Sequence, residues 1–326
     1  MNVLVMGATG FVGNLLVKAL IKEGHSVTCF VRKTSNIVDL KQLKVEFAYG
    51  DILDVDSIKK AIIGNEVIYD LVGAGNISSL SEEAYLKFKK VNVFGTENLL
   101  KACLGENIKK IIYYSSTAAM GVVTGVINEK TKCNPLTPYQ RSKFESEELI
   151  SSYCKKYNLP VVIIRPPMVY GPGDVRSQLF KVYKLIKSNF VPLIGNGRNI
   201  IPLIYIHTLV DASVRAILGK NGETYILADE KVSLLNIIEI MKRNMSKTPI
   251  ILKIPAWFAR LIAFCFELLS KLFRKTPFLT RMRVNSMTSS RIFDVTKAKR
   301  EIGFRQLVNL NEGMKETIKW YQSKNL

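Results

Sequence analysis

The sequence predicts an α/β fold, a doubly wound parallel sheet joined to a smaller, mostly helical C-terminal lobe. Three observations carry this expectation. Short apolar runs rich in Val and Ile alternate with longer helical patterns through the first half, the rhythm of strand–helix–strand units. Those runs are continuously apolar, as in strands covered on both faces. After "RPPMVYGPGD" the regularity falls away, which marks the start of a second lobe.

Taken in order, "NVLVM" reads as a strand and residues 11–23 as a helix. "SVTCFV" and "VEFAY" are strands, "VDSIKKAII" a helix, "EVIYDLV" a strand and 81–104 one long helix. "IKKIIYYSS" is a strand, 139–157 a helix and "PVVIIR" a strand. Beyond lie a helix over 176–189, a Gly/Asn-rich turn in "VPLIGNGRNIIPLIYIH", the strand "ETYILA", a helix near 233–244 and a terminal amphipathic helix near 311–322. The expected division is a nucleotide-binding domain over 1–168, with 203–228 returning to it, and a substrate lobe from 169–202 and 229–326. Ligands of such sheets bind at the carboxyl ends of the strands.

With 326 residues, 48% hydrophobic and 23% charged, the chain is long enough for a large core and too apolar to be disordered. Its five cysteines are scattered with no CxxC pair, which points to a reduced, intracellular protein without a zinc site. The apolar strand directly after Met1 gives no expectation of a secretory signal. The net charge of +20 suits nucleic acid, an anionic membrane surface or phosphorylated ligands. No nucleic-acid motif accompanies it, so nucleic acid is not expected as a partner. Part of the excess is local: residues 271–300 hold nine Lys or Arg and one acid, Asp294.

"VLVMGATGFVGNLLVKAL" places Gly7, Gly10 and Gly13 between the first strand and the first helix. There the backbone must turn sharply, approach a pyrophosphate and open a helix whose amides face the anion. The spacing is GxxGxxG, and its position between strand and helix reads as nucleotide binding. The second strand ends "CFVRKTS" with Arg32 and no carboxylate. An acid there would accept from the ribose hydroxyl of NAD, whereas an arginine suits the 2′-phosphate of NADP. NADP(H) is therefore the favoured cofactor and NAD(H) the alternative.

The ordered motifs "GATGFVG", "GDILD", "VNVFGTENLL", "YSST", "YQRSK", "RPPMVYGPGD", "YIHTLVDA" and "FDVTKAKREIGF" resemble the extended short-chain dehydrogenase/reductases, the NAD-dependent epimerase/dehydratase superfamily with its Rossmann domain. The style is nearest the 3β-hydroxysteroid dehydrogenase and dihydroflavonol reductase branch. The resemblance implies cofactor contacts from Gly7, Thr9, Gly10, Phe11, Val12, Gly13, Arg32, Asp51, Ile52, Asn92 and Pro166, with Asp51 at the adenine. One departure stands out: relatives often carry His-x-Ala-Ala after the fourth strand, where this chain reads "DLVGAG".

Three Tyr-x-x-x-Lys pairs occur, at Tyr85/Lys89, Tyr139/Lys143 and Tyr183/Lys187. The family pair follows the fifth strand, and only Tyr139/Lys143 has that placement. A free phenol with a pKa of about 10 is a poor proton donor or acceptor at neutral pH, and a cation one helical turn away favours its anion. The resemblance implies Ser116, Tyr139 and Lys143 as the catalytic set, with Tyr139 and Lys143 also touching the cofactor. Alignment on Gly121 selects Ser116 over Ser115 and Thr117. His25 and His207 lack the companions of a triad or metal site, and no phosphate loop of the GxxxxGKS kind exists. No metal is expected.

Three functions compete: an oxidoreductase of an apolar secondary alcohol or ketone, a nucleotide-sugar 4-epimerase or dehydratase, and a non-catalytic cofactor sensor or assembly factor. The Arg-Asp pair usual in nucleotide-sugar enzymes is replaced by Ile201 and Pro202, which favours the apolar small-molecule substrate. The resemblance implies a homodimer packed through the helix bearing Tyr139. In "IPAWFARLIAFCFELLSKLF", residues 254–273, Arg260, Glu267 and Lys271 leave one narrow polar stripe. These charges argue against a spanning helix and for an interfacial one. The expected location is cytoplasmic, at the inner face of a membrane.

Overall fold

The computed structural model describes residues 1–75, 81–123, 125–273, 277 and 279–326. Arg274 and Lys275 of the basic run, and the side chains of Lys271 and Leu272, lie outside the described residues. Seven strands form one sheet: β1 (Asn2–Met6), β2 (Ser26–Val31), β3 (Glu46–Tyr49), β4 (Val67–Asp70), β5 (Lys110–Tyr114), β6 (Val161–Arg165) and β7 (Thr224–Ile226). The order is β7-β6-β5-β4-β1-β2-β3 and every pairing is parallel. The order reverses between β1 and β4, which opens a crevice at the carboxyl edge.

The continuous apolar runs are explained by two cores. Val3 and Val5 of β1 pack with Leu16, Val17 and Leu20 of α1 (Phe11–Lys22) on one face. Leu4 and Met6 pack on the other with Ile58 of α2 (Val55–Ile62) and Leu99 and Leu100 further along the chain. Alternate side chains thus enter opposite cores, and both faces must be apolar.

The single helix expected over 81–104 is divided. α3 (Glu82–Lys89) and α4 (Gly95–Ala102) are separated by a π-helical turn, Lys90–Phe94. The wider turn sets Asn92 inward, where its Oδ1 accepts from Ala74 N at 2.8 Å and its Nδ2 donates to Ser142 Oγ at 2.9 Å. A π turn inside a helix is a recurrent feature of functional sites. Helical periodicity could not show it, because the reason lies in two distant segments.

α5 (Pro138–Tyr157) opens with a Thr137/Gln140 capping box and Pro138 at its first turn, the sequence signals of a defined start. Beyond β6 the chain forms α6 (Gln178–Lys187), α7 (Ile206–Arg215), α8 (Leu234–Met245), α9 (Ala256–Phe273), α10 (Arg281–Thr288) and, after a short helix over Thr296–Ile302, α11 (Leu310–Ser323). α7, within "YIHTLVDA", packs on α1 of the first domain. Short strand pairs stitch the lobes together: Met168–Tyr170 with Leu203–Tyr205, and Val126–Ile127 with Ile292–Phe293. Phe293 packs with Met120, Ile127 and Ile226.

Candidate active site

β1 delivers the chain to the glycine turn at the reversal point of the sheet. Gly7 has φ of +85°, and a Cβ there would sit 3.0 Å from the Leu71 carbonyl carbon. A Cβ on Gly13 would lie 2.2 Å from the Gly7 oxygen. Only hydrogen fits either place, so the helix is drawn hard against the turn. No side chain caps α1 at Gly10, which leaves its first amides to face an anion. Thr9, Phe11 and Val12 belong to the same turn, and a Cβ on Gly173 would meet the Phe11 ring at 3.2 Å. This cradle fits the pyrophosphate of a dinucleotide.

The other expected cofactor residues fall along the same edge. Arg32 is exposed in the turn after β2, with no ion pair among the described residues. Asp51 is half-buried and its Oδ1 accepts from Leu53 N at 2.9 Å. Ile52 is buried against Gly95. Asn92 is buried and engaged by Ala74 and Ser142, so it positions the loop after β4. The Pro166 carbonyl accepts from Thr117 N at 3.0 Å.

Lys143 is buried one turn beyond Tyr139 on α5. Its Nζ donates to Tyr114 O at 2.8 Å and to Tyr113 Oη at 3.4 Å, which ties α5 to the end of β5. Burial pulls the ammonium toward neutrality, but Tyr113, Tyr139 and Asp70 outweigh it and its pKa ends above the ordinary value. Lys143 is therefore a cation at neutral pH, able to hold charge that develops on the Tyr139 oxygen. The Tyr139 ring meets Phe88 edge-on at 5.6 Å. The loop passes beside both residues at Gly73 and Gly75, where Cβ atoms would make ordinary contacts, 3.4 Å from Lys143 Nζ and 3.7 Å from the Tyr139 ring.

Ser116 stands where β5 ends. Its Oγ accepts from Ala118 N at 3.1 Å and makes a long 3.5 Å contact to Pro166 O. Ser116 is half-buried, whereas Ser115 and Thr117 are buried, so Ser116 is the hydroxyl of this trio most open to a ligand. The other Tyr/Lys pairs have structural partners: Tyr85 donates to Glu145 at 2.6 Å and Lys89 lies 3.7 Å from that carboxylate. Tyr183 and Lys187 both bond the Leu326 carbonyl. Among the described residues no cluster of His, Cys, Asp and Glu could hold a metal ion.

A cavity of about 760 Å³ opens on Tyr139 and is lined by Leu136 and Val122, by Arg260 and Glu267 of α9 and by residues of α10. The model of the NAD dependent epimerase/dehydratase family matches residues 3–228. The chain belongs to that family. Its glycine turn and its Ser, Tyr and Lys stand within the matched segment. Over 96% of its length the chain is 26% identical to a 3beta-hydroxysteroid-dehydrogenase/decarboxylase isoform 2 of Arabidopsis thaliana, spanning 61% of that protein. It is 28% identical to UDP-glucose 4-epimerase of Vibrio cholerae, covering 99% of this chain and 96% of the relative. UDP-glucuronic acid 4-epimerase from Bacillus cereus, solved with NAD, shares the fold with a TM-score of 0.81 at 22% identity, covering 100% of each chain. As a family member the chain is an NAD-dependent oxidoreductase or epimerase.

Four residues that shape this site carry little signal in the sequence: Asp70, Tyr113, Glu147 and Arg165. An acid closing an apolar strand was the one available signal, in "VIYD". Asp70 is fully buried, its Oδ1 accepts from Val72 N at 3.0 Å, and its Oδ2 has no partner. Burial raises its pKa from 3.8 to about 6, against the lowering pull of the Val72 amide and Lys143. Between these values the folded state keeps a proton that the unfolded chain has lost. Stability therefore falls as pH rises through that window and is level above it. Asp70→Asn is expected to exceed the parent in stability by roughly 1–3 kcal/mol at about pH 8, with the gap closing near pH 4. Urea unfolding at both pH values checks this, and a variant less stable at pH 8 contradicts it.

Proposed function

We propose that this protein is an NAD(P)-dependent oxidoreductase of a secondary alcohol or ketone on an apolar, amphiphilic substrate. The Lys143 clamp beside Tyr139, whose ring lines a cavity together with the apolar Phe88, Val122, Val123 and Leu136, carries this reading. Bound nicotinamide brings hydride exchange. Tyr139 Oη gives or takes the proton of the substrate oxygen, Ser116 Oγ holds that oxygen, and Lys143 balances the charge. The Arabidopsis relative's name supports a steroid-like alcohol, while the Vibrio relative's name keeps a nucleotide sugar as the rival substrate. Tyr139→Phe is expected to lower turnover by about 10²-fold or more with folding and nucleotide binding intact. Lys143→Met should weaken both turnover and cofactor binding. A panel of hydroxysteroids, 3-oxo acids and UDP-sugars assayed with both cofactors checks the reading. Full activity in Tyr139→Phe rejects the mechanism, and turnover of UDP-sugars alone rejects the substrate class.

The cofactor of this reading is NADP(H), supported by the exposed Arg32 at the end of β2 where an acid would select NAD. A charge-assisted bond to the 2′-phosphate is expected to favour NADPH over NADH by about ten- to a hundredfold. Arg32→Asp should reverse the order in a fluorescence titration. Equal affinities in the parent protein would sink the assignment.

The site is further proposed to work at an anionic bilayer surface. α9 is turned inside out: small Ala259 and Ala263 pack on Val284, Ile194 and Ile254, while Trp257, Leu261, Phe264, Leu268 and Leu269 are exposed, Trp257 by 67%. A surface helix of a globular protein normally does the reverse. The apolar face continues past Ile194 and Ile254 onto their strands (Phe190–Ile194 paired with Ile250–Ile254), where Phe190, Pro192, Ile250 and Leu252 are exposed. A net charge of +20 complements anionic lipid, and Arg260 and Glu267 on the same helix line the cavity. Among the described residues no helix is long and apolar enough to cross a membrane. The protein is expected to co-sediment with anionic liposomes at low salt, and Phe264→Glu with Leu268→Lys to abolish it. Intact protein left in the supernatant, or a stable dimer that the double variant separates, would reject the bilayer as occupant.

A further inference from the structure

The cavity beside Tyr139 carries a charge that an apolar alcohol or ketone alone does not explain. Four arginines line it, Arg260, Arg281, Arg283 and Arg291, against one carboxylate, Glu267. Glu267 is already committed: Arg281 Nε donates to its Oε2 at 2.9 Å and Arg281 N to its Oε1 at 2.8 Å. Arg260 Nε donates to the neutral Asn285 Oδ1 at 2.9 Å. Arg291 is half-buried, and no ion pair among the described residues offsets its charge. Burial alone acts on its guanidinium and lowers its pKa.

The backbone around Arg291 is fixed. Its N–H donates to Ile200 O at 3.2 Å, and the next two residues pair with Val126 and Ile127. The side chain thus lines, from a rigid base, a cavity that Tyr139 also lines. A partly desolvated guanidinium without a carboxylate is costly unless something anionic completes it. Its planar fork matches a carboxylate or a phosphate with two parallel hydrogen bonds.

We infer that the substrate bears an oxyanion, a carboxylate or phosphate, and that Arg291 binds it while the reacting oxygen lies at Tyr139. This rests on the cavity being the active site and narrows the substrate from an apolar alcohol or ketone to an anionic amphiphile. Arg291 would be a specificity-determining residue, acting on which molecules enter and in which direction they lie.

The test is a binding measurement that needs no turnover, so it stands apart from the Tyr139 experiment. The intact chain is titrated by calorimetry with laurate, dodecyl phosphate and dodecanol, each as monomer below its aggregation threshold. At least one anion should bind about tenfold or more tightly than dodecanol, and more weakly as salt rises. The stronger of the two tells carboxylate from phosphate. Arg291→Met should bring that anion to the dodecanol level without lowering Tm, because no ion pair among the described residues is lost. Arg198→Met, an exposed arginine outside the cavity lining, should leave affinity unchanged. If Arg291→Met fails to fold, Arg291→Lys decides: it keeps the charge, loses the fork, and should weaken the anion several-fold. Equal binding of dodecanol and both anions, or undiminished anion affinity in Arg291→Met or, where that variant fails, in Arg291→Lys, would overturn the inference.

Discussion

The docking of α5 on the sheet is the constraint on which the rest depends. Glu147 and Arg165 form a buried two-pronged ion pair, Nε–Oε1 at 2.9 Å and Nη2–Oε2 at 2.5 Å. Glu147 lies one turn beyond Lys143, so both face the sheet. One fixes the helix to β6 and the other to the end of β5. Two anchors on successive turns leave α5 no freedom to roll, and Tyr139, one turn earlier, is held at the mouth of the cavity. Removing one partner of such a pair would strand a buried charge, which makes the pair a strong determinant of this packing.

The second layer of that arrangement is polar and small. Ser142 and Ser146 allow α5 to approach the π turn, where Ser146 Oγ donates to Asn92 O at 2.8 Å and Ser142 receives the Asn92 amide. Asn92 in turn holds Ala74, so the loop after β4 is positioned from α5. At the start of that loop Asp70 places a carboxylate, its Oδ2 without a partner, within the electrostatic reach of Lys143. The effect is to strengthen the lysine's charge at a cost in stability, a trade often found where function sets the residue.

The second lobe follows a different logic. Short strand pairs join it to the first domain, while residues of α9 and α10 line the cavity. α9 presents small side chains to the protein and large ones outward. Cavity and apolar surface therefore meet at α9, which carries Arg260 and whose Glu267 holds Arg281. A head group held within and an alkyl body carried along the lobe would use both.

The sequence alone determined the doubly wound class, because a strand buried on both faces must be continuously apolar. It also determined the glycine turn, since hydrogen is the only side chain that fits there, and the family, through ordered motifs. It could not decide which of three equal Tyr/Lys spacings mattered without the order of strands around them. The structure shows why spacing is mute: Tyr85 and Lys89 grip Glu145, and Tyr183 and Lys187 hold the C-terminal residue. The split of 81–104 by a π turn, the burial of Asp70, the Glu147–Arg165 anchor and the outward face of α9 were decided by tertiary structure. Each depends on a partner dozens of residues away or on which side of a helix meets the protein. Periodicity reports that a helix has two faces, whereas packing alone decides which one is turned to solvent.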